Sequence, residues 1–175
     1  MKRIRIFAGM VLWISVFLSG CGKQDQGAVR EVDGKYYDEE GNPTYNVHWN
    51  GTVDWYTFSG YRHFTSACLV CHGPDATGST FAPALVNSLK RLHYPEFAAI
   101  VMSGRRNNTM PSFSRNKNVM CHLENIYVYL RARARHAVER GKPEKHEPKP
   151  AAAAKTEAEC LGPSWHWLAG SAEDD

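Results

Sequence analysis

Two thiols three residues apart with a histidine directly behind the second, Cys68-Leu69-Val70-Cys71-His72, constrain this chain more than any other stretch. That spacing attaches a c-type haem: each thiol adds across one vinyl group of the macrocycle, and the adjacent histidine is carried under the iron as proximal ligand. A structural zinc site needs two more ligands at partner spacing, and a thioredoxin-like pair sits in a βαβ pattern without a trailing histidine. Neither pattern stands nearby. The alternative is a bare CxxC that binds metal or cycles between thiol and disulfide.

At 175 residues the chain holds at most one compact domain with tails. Residues 1–21 read as a lipoprotein-type signal peptide. Lys2, Arg3 and Arg5 precede an apolar run from Ile6 to Leu18 that is short for a membrane span of ~20 residues. Leu18-Ser19-Gly20-Cys21 then has the form of a lipobox, with two small residues ahead of a cysteine available for acylation. Several acyl chains on Cys21 would tether the protein to a membrane where a single chain would not. The plainer alternative is a cleaved signal with a chance cysteine at its end. Either way the chain is exported, which agrees with covalent haem attachment outside the bacterial cytoplasm.

Residues 22–51 are polar and turn-rich, with Asp33-Gly34, Glu40-Gly41 and Asn42-Pro43 as breakers. Tyr36, Tyr37, Tyr45, Val47 and Trp49 indicate that part of this N-terminal arm packs, since a pure linker has little use for aromatics. The haem domain is expected over 52–140. Its first helix, 52–71, carries Trp55, Phe58, Tyr61, Thr65 and Ala67 at approximate helical spacing, and Gly60 leaves a low spot where another helix crosses. After the turn cluster Gly73 to Ser79, the segment from Phe81 to Leu85 is extended and short helices follow near Val86–Leu92 and Pro95–Met102. A proximal histidine donates its second ring N–H to a fixed acceptor, and the Pro83 carbonyl is the candidate.

Met110-Pro111-Ser112-Phe113 stands in the polar loop from Arg105 to Lys117. A thioether is a soft neutral ligand that raises the haem potential, and a proline stiffens the loop that must hold it. Met110 is therefore the expected sixth ligand, against Met102 and Met120 as rival methionines and His63, His93 and His122 as rival histidines. The last helix, about Asn118 to His136, carries Val119, Met120, Leu123, Ile126, Tyr127, Leu130 and Ala134 as one stripe, with Arg131, Arg133 and Arg135 near its C-terminal end. These elements predict an all-α fold, its terminal helices crossing at one edge of the haem.

The segment from Trp55 to Arg106, containing GYRHFTSACLVCHGPDATGSTFAPAL, followed by MPSF and NKNVMCHLENIYVYLRARA, resembles the cytochrome c-L group of class I c-type cytochromes. It is most similar to the four-cysteine branch associated with methanol metabolism, over roughly residues 33–140. The resemblance implies the class I cytochrome c fold around one covalent haem c. Cys68 and Cys71 match the family's thioether cysteines, and His72 and Met110 its axial ligands. It further implies a pyrroloquinoline quinone (PQQ)-dependent alcohol dehydrogenase as electron donor.

Residues 141–159, rich in proline, alanine and lysine, have the composition of a solvated linker, and 160–175, with Trp165 and Trp167, that of a tail that docks back. With Cys68 and Cys71 on haem and Cys21 on lipid, Cys121 and Cys160 remain to pair; if Cys21 is not lipidated, three cysteines compete. Removing Lys2, Arg3 and Arg5 leaves 18 basic against 18 acidic residues, so the mature chain is formally neutral. Thr52 to Arg135 nonetheless holds ten basic and four acidic residues, and Arg105, Arg106, Arg115 and Lys117 bracket Met110. These cations steer an acidic partner, neutralise haem propionates, or simply lie in solvent. An exported chain without net basicity is no nucleic-acid binder. The function expected is one-electron transfer with no catalytic residue, from the quinoprotein to another cytochrome or a terminal oxidase. The alternatives are a haem enzyme or gas sensor with an open iron, or a carrier unrelated to alcohol oxidation.

Overall fold

Gly60 lies where the two longest helices of the haem domain meet. In this computed structural model, which describes residues 28–105 and 109–162, α1 spans Trp55–Ala67 and α6 spans Leu123–Ala134. A Cβ on Gly60 would overlap the Asn125 carbonyl oxygen and come to 2.8 Å from Tyr129 Cβ, so only a missing side chain lets the backbones cross this closely. Asn125 Nδ2 donates to Ser59 Oγ at 3.0 Å, and the Tyr61 and Phe64 rings both lie 5.6 Å from that of Tyr129. The expected stripe on α6 does not make this contact: Leu123, Ile126 and Leu130 turn to a cavity beside it.

Capping fixes where the helices begin. The Asp54 carboxylate accepts from Thr57 N–H at 2.9 Å, from the Thr57 hydroxyl at 2.5 Å and from Asn46 N–H at 2.8 Å, which caps α1 and ties it to the N-terminal arm. The expected single helix over 118–136 is two, α5 (Lys117–Cys121) and α6. His122 breaks it, because its ring Nδ1 takes the Asn118 carbonyl at 2.7 Å while its own N–H turns to Val119 O at 3.2 Å. Between α1 and α5 lie α2 (Leu69–His72), a 3₁₀ turn at Pro74–Ala76, α3 (Leu85–Ser88) and α4 (Tyr94–Ser103).

The arm adds a small sheet to the all-α plan. β1 (Arg30–Val32), β2 (Lys35–Tyr37) and β3 (Pro43–Thr44) pair antiparallel in that order, and Asp33-Gly34, both at positive φ, form the two-residue turn of the first hairpin. Asp38 ties the arm to α6 through Arg131 Nη1 at 2.5 Å. Burial alone would raise the Asp38 carboxyl, yet Arg131 and the Asn42 amide hold it below the usual carboxylate range. Arg131 and Arg133, in the last turn of α6, are buried. Tyr45 packs as expected, whereas Trp49 is 98% exposed.

Residues 141–159 are not a solvated spacer. His146 stacks on Phe58 with ring centroids 3.7 Å apart, Glu147 N–H donates to Val53 O, and α7 (Ala151–Leu161) follows. A Cys121–Cys160 disulfide clamps α7 to α5 across 39 residues. Replacing both cysteines by serine is expected to cost ~4 kcal/mol in guanidinium unfolding of the holoprotein, the loop entropy the bond removes. Unchanged stability would show that packing alone holds α7. Cys21 and the tail after Gly162 fall outside the described residues, within which no helix is long and apolar enough to cross a membrane.

Candidate functional site

Cys68 closes α1, and the backbone winds on through the single turn α2. His72 N–H donates to Cys68 O at 3.0 Å, so Cys68, Cys71 and His72 stand at i, i+3 and i+4 and project from one side of the turn. All three line one cavity of about 290 Å³. Leu69 leans on the core, and Val70, 79% exposed, faces water.

The chain then reverses to fix the histidine. Gly73, at φ 73°, abuts the Gly78 carbonyl, which leaves no room for a side chain, and Gly78 N–H donates to His72 O at 2.7 Å. The Ser79 hydroxyl closes the loop on Cys71 O at 2.5 Å. This return brings Pro83 O to 2.9 Å from His72 Nδ1. A carbonyl can only accept, so Nδ1 carries the proton and Nε2 is the nitrogen with a free lone pair.

Met110 lines the same cavity as His72. Its rivals do not: Met102 is 46% exposed on α4, Met120 packs against the core, and His93 meets Asn42 Nδ2 at 3.3 Å. The His63 and His122 rings stack on each other at 3.6 Å, and burial, then His122, pushes His63 down to about 3. The rest of the described lining is apolar apart from Ser88, Arg105 and Thr109. Phe81 and Phe113 belong to it without being singled out by sequence periodicity, since both lie in irregular segments; their nearness to Pro83, two residues on, and to Met110, three residues back, is the available signal.

The donor set fits a haem. Two thiols and an imidazole share one face of a helical turn, a thioether borders the same apolar space, and both thiols are free while the other two described cysteines are bonded. A metal-binding or redox CxxC fits less well. No further His, Cys, Asp or Glu side chain of the described lining joins Cys68, Cys71 and His72 to complete a four-ligand zinc site. Burial, with Cys71 beside it, pushes the Cys68 thiol up to about 11, away from the depressed values of redox thiols.

Helices wrapped about such a cavity, with the terminal pair crossing at a glycine, make a class I cytochrome c fold carrying one covalent haem c. The chain belongs to the c-type cytochromes, in the cytochrome c-L-like group. The family described as cytochrome c oxidase, cbb3-type, subunit III matches residues 58–130. Cytochrome c-553I of Paracoccus denitrificans is 44% identical over 135 residues, 74% of this chain, and the match spans 60% of that relative's length. Cytochrome c-555 of Methylococcus capsulatus is 37% identical over 94 residues, 53% of this chain and 75% of that protein. Among solved structures, the c-type cytochrome XoxG from Methylobacterium extorquens AM1 is 53% identical with a TM-score of 0.74, covering 77% of this chain and 86% of that one. The chain is thus a monohaem c-type cytochrome of the electron-carrier kind.

Proposed function

We propose that this cytochrome is a periplasmic relay that takes single electrons from a PQQ-dependent methanol or alcohol dehydrogenase and passes them to another cytochrome or a terminal oxidase. In this reading Cys68 and Cys71 form the thioethers, His72 and Met110 are the axial ligands, and Cys21 tethers the chain to a membrane. The observation that carries it is the presence of His72 and Met110 on one apolar cavity, from which the two would supply both axial ligands to a bound haem and leave no position for a substrate. Bound haem supplies a one-electron couple. His72, oriented by Pro83, presents Nε2 as a neutral donor, and the apolar lining disfavours the more highly charged oxidised state. The described lining holds no carboxylate or lysine to move a proton.

Docking is assigned to the surface where the cavity opens. Phe81 is 79% exposed there and Cys71 is exposed beside it, with Val70 on the same turn. Arg105, Arg115 and Lys117 are exposed around the Met110 loop and would steer an acidic partner, while Arg106 lies outside the described residues. The donor itself rests on the resemblance of residues 33–140 to the cytochrome c-L group, supported by the 53% identity to XoxG.

Rapid mixing of the oxidised holoprotein with purified PQQ-dependent methanol dehydrogenase and alcohol tests this. Reduction is expected, and its rate should fall as salt shortens the Debye length from ~30 Å at 0.01 M to ~8 Å at 0.15 M. A haem that stays oxidised removes the donor assignment, and a salt-independent rate removes the steering. Fast carbon monoxide binding by the reduced protein would mean an open iron and overturn the relay.

A further inference from the structure

The last carbonyls of a helix have no partner inside it and must find one in water or in another segment. At the end of α4 they find the segment that carries Met110. Ile100 O receives the closing bond from Gly104 N–H at 2.8 Å, but Val101 O accepts from Phe113 N–H at 3.0 Å and Met102 O from the Ser112 hydroxyl at 2.5 Å. From the other side Arg105 N–H donates to Met110 O at 2.9 Å. Gly104, at φ 73°, lies flush against the same stretch: a Cβ there would sit 2.5 Å from Met110 O and 2.9 Å from Ser112 N. Ser112 Oγ also receives Ser114 N–H at 3.3 Å, which turns its hydroxyl into a joint between loop and helix.

The seat is itself anchored, because Phe97 and Val101 bury the inner face of α4 in the core. A thioether is a weak neutral ligand, so its lifetime on the iron depends on how freely its segment moves. Residues 109–114 are mostly exposed; Met110 and Phe113 pack against the core, and the bonds to the helix end hold the backbone of Met110 and Phe113 and the Ser112 hydroxyl.

We infer that the C-terminal end of α4 is the seat of the sixth-ligand loop, with Ser112 and Gly104 as positioning residues that set how often Met110 leaves the iron. The inference rests on the reading of Met110 as the axial ligand. It also assigns α4 a role beyond lining the cavity: the helix end and the loop satisfy each other's backbone, so neither moves alone.

The test follows imidazole binding to the oxidised holoprotein at saturating imidazole, where the observed rate equals the rate at which Met110 departs. Ser112→Ala is expected to raise this limiting rate about three- to tenfold, the worth of one hydrogen bond in water-exposed surroundings. Ser112→Thr keeps the hydroxyl and should stay near the parent. Gly104→Ala, which adds both a positive-φ penalty and a clash, should raise the rate more than tenfold and weaken the near-infrared thioether band. Guanidinium unfolding of each variant separates a local effect from a general one. Equal limiting rates in the parent and Ser112→Ala would overturn the inference, as would a rise matched in full by a loss of global stability. A parent without a thioether band, recorded before imidazole is added, would overturn the axial assignment and this inference with it.

Discussion

Met110→Ala removes the weak near-infrared iron–thioether band of the oxidised protein, lowers the reduction potential and opens the reduced protein to carbon monoxide. The expectation follows from placement. Met110 is the methionine that borders the cavity among the described residues, while Met102 is 46% exposed and Met120 packs against the core away from the cavity lining. Axial ligation spans ~0.8 V of haem potential, so replacing a thioether by water or hydroxide is among the largest single changes available to this chain. The apolar walls contributed by Phe97, Val119 and Leu130 stay in place, so the variant should still fold and hold covalent haem. A band that survives the substitution would exclude Met110 as ligand.

Gly60→Ala is expected to destabilise the fold by ~3 kcal/mol, because the added methyl would displace the Asn125 backbone and cannot be absorbed by a side-chain rotation. The sign makes this a sharp test. In a helix free of close neighbours, glycine to alanine gains ~1 kcal/mol of propensity. Guanidinium unfolding of the holoprotein therefore distinguishes a backbone crossing at Gly60 from an open helix surface by direction as well as size.

How much was legible beforehand varies with the kind of signal. The pentapeptide announces its cofactor because haem chemistry fixes the covalent spacing, and the Pro83 acceptor follows from the need to orient an imidazole. Gly60 is readable as a low spot, yet its partner is not: the apolar stripe of α6 points at the cavity, and the crossing uses Asn125 and Tyr129, which hydropathy marks as poor core candidates. The break at His122 is hidden for a similar reason. Periodicity continues through it, and only the ring's competition for the Asn118 carbonyl ends the helix.

The C-terminal region shows where composition misleads. Proline, lysine and alanine suggest a spacer, but Ala151 to Ala154 is also a run of the best helix former, and α7 forms there with Ala153 buried. Likewise Arg131 and Arg133 have the distribution of surface charge and the burial of core residues, since Asp38 and the Val138 carbonyl lie within reach of their guanidinium groups. The partner of Arg131 lies 93 residues away at Asp38, that of Arg133 five residues on at Val138.

The paired state of Cys121 and Cys160 beside the free thiols of Cys68 and Cys71 has a consequence for how the protein is made. Addition to a haem vinyl group requires a thiol, whereas the clamp on α7 requires two cysteines to give up two electrons. One polypeptide must therefore finish with two pairs at opposite ends of the same chemistry. An oxidant that reaches the one-turn pair first closes it against haem, and only a reductant reopens it. Biogenesis of this cytochrome is in that sense a matter of timing, and its yield should depend on the order in which haem delivery and oxidation meet the chain.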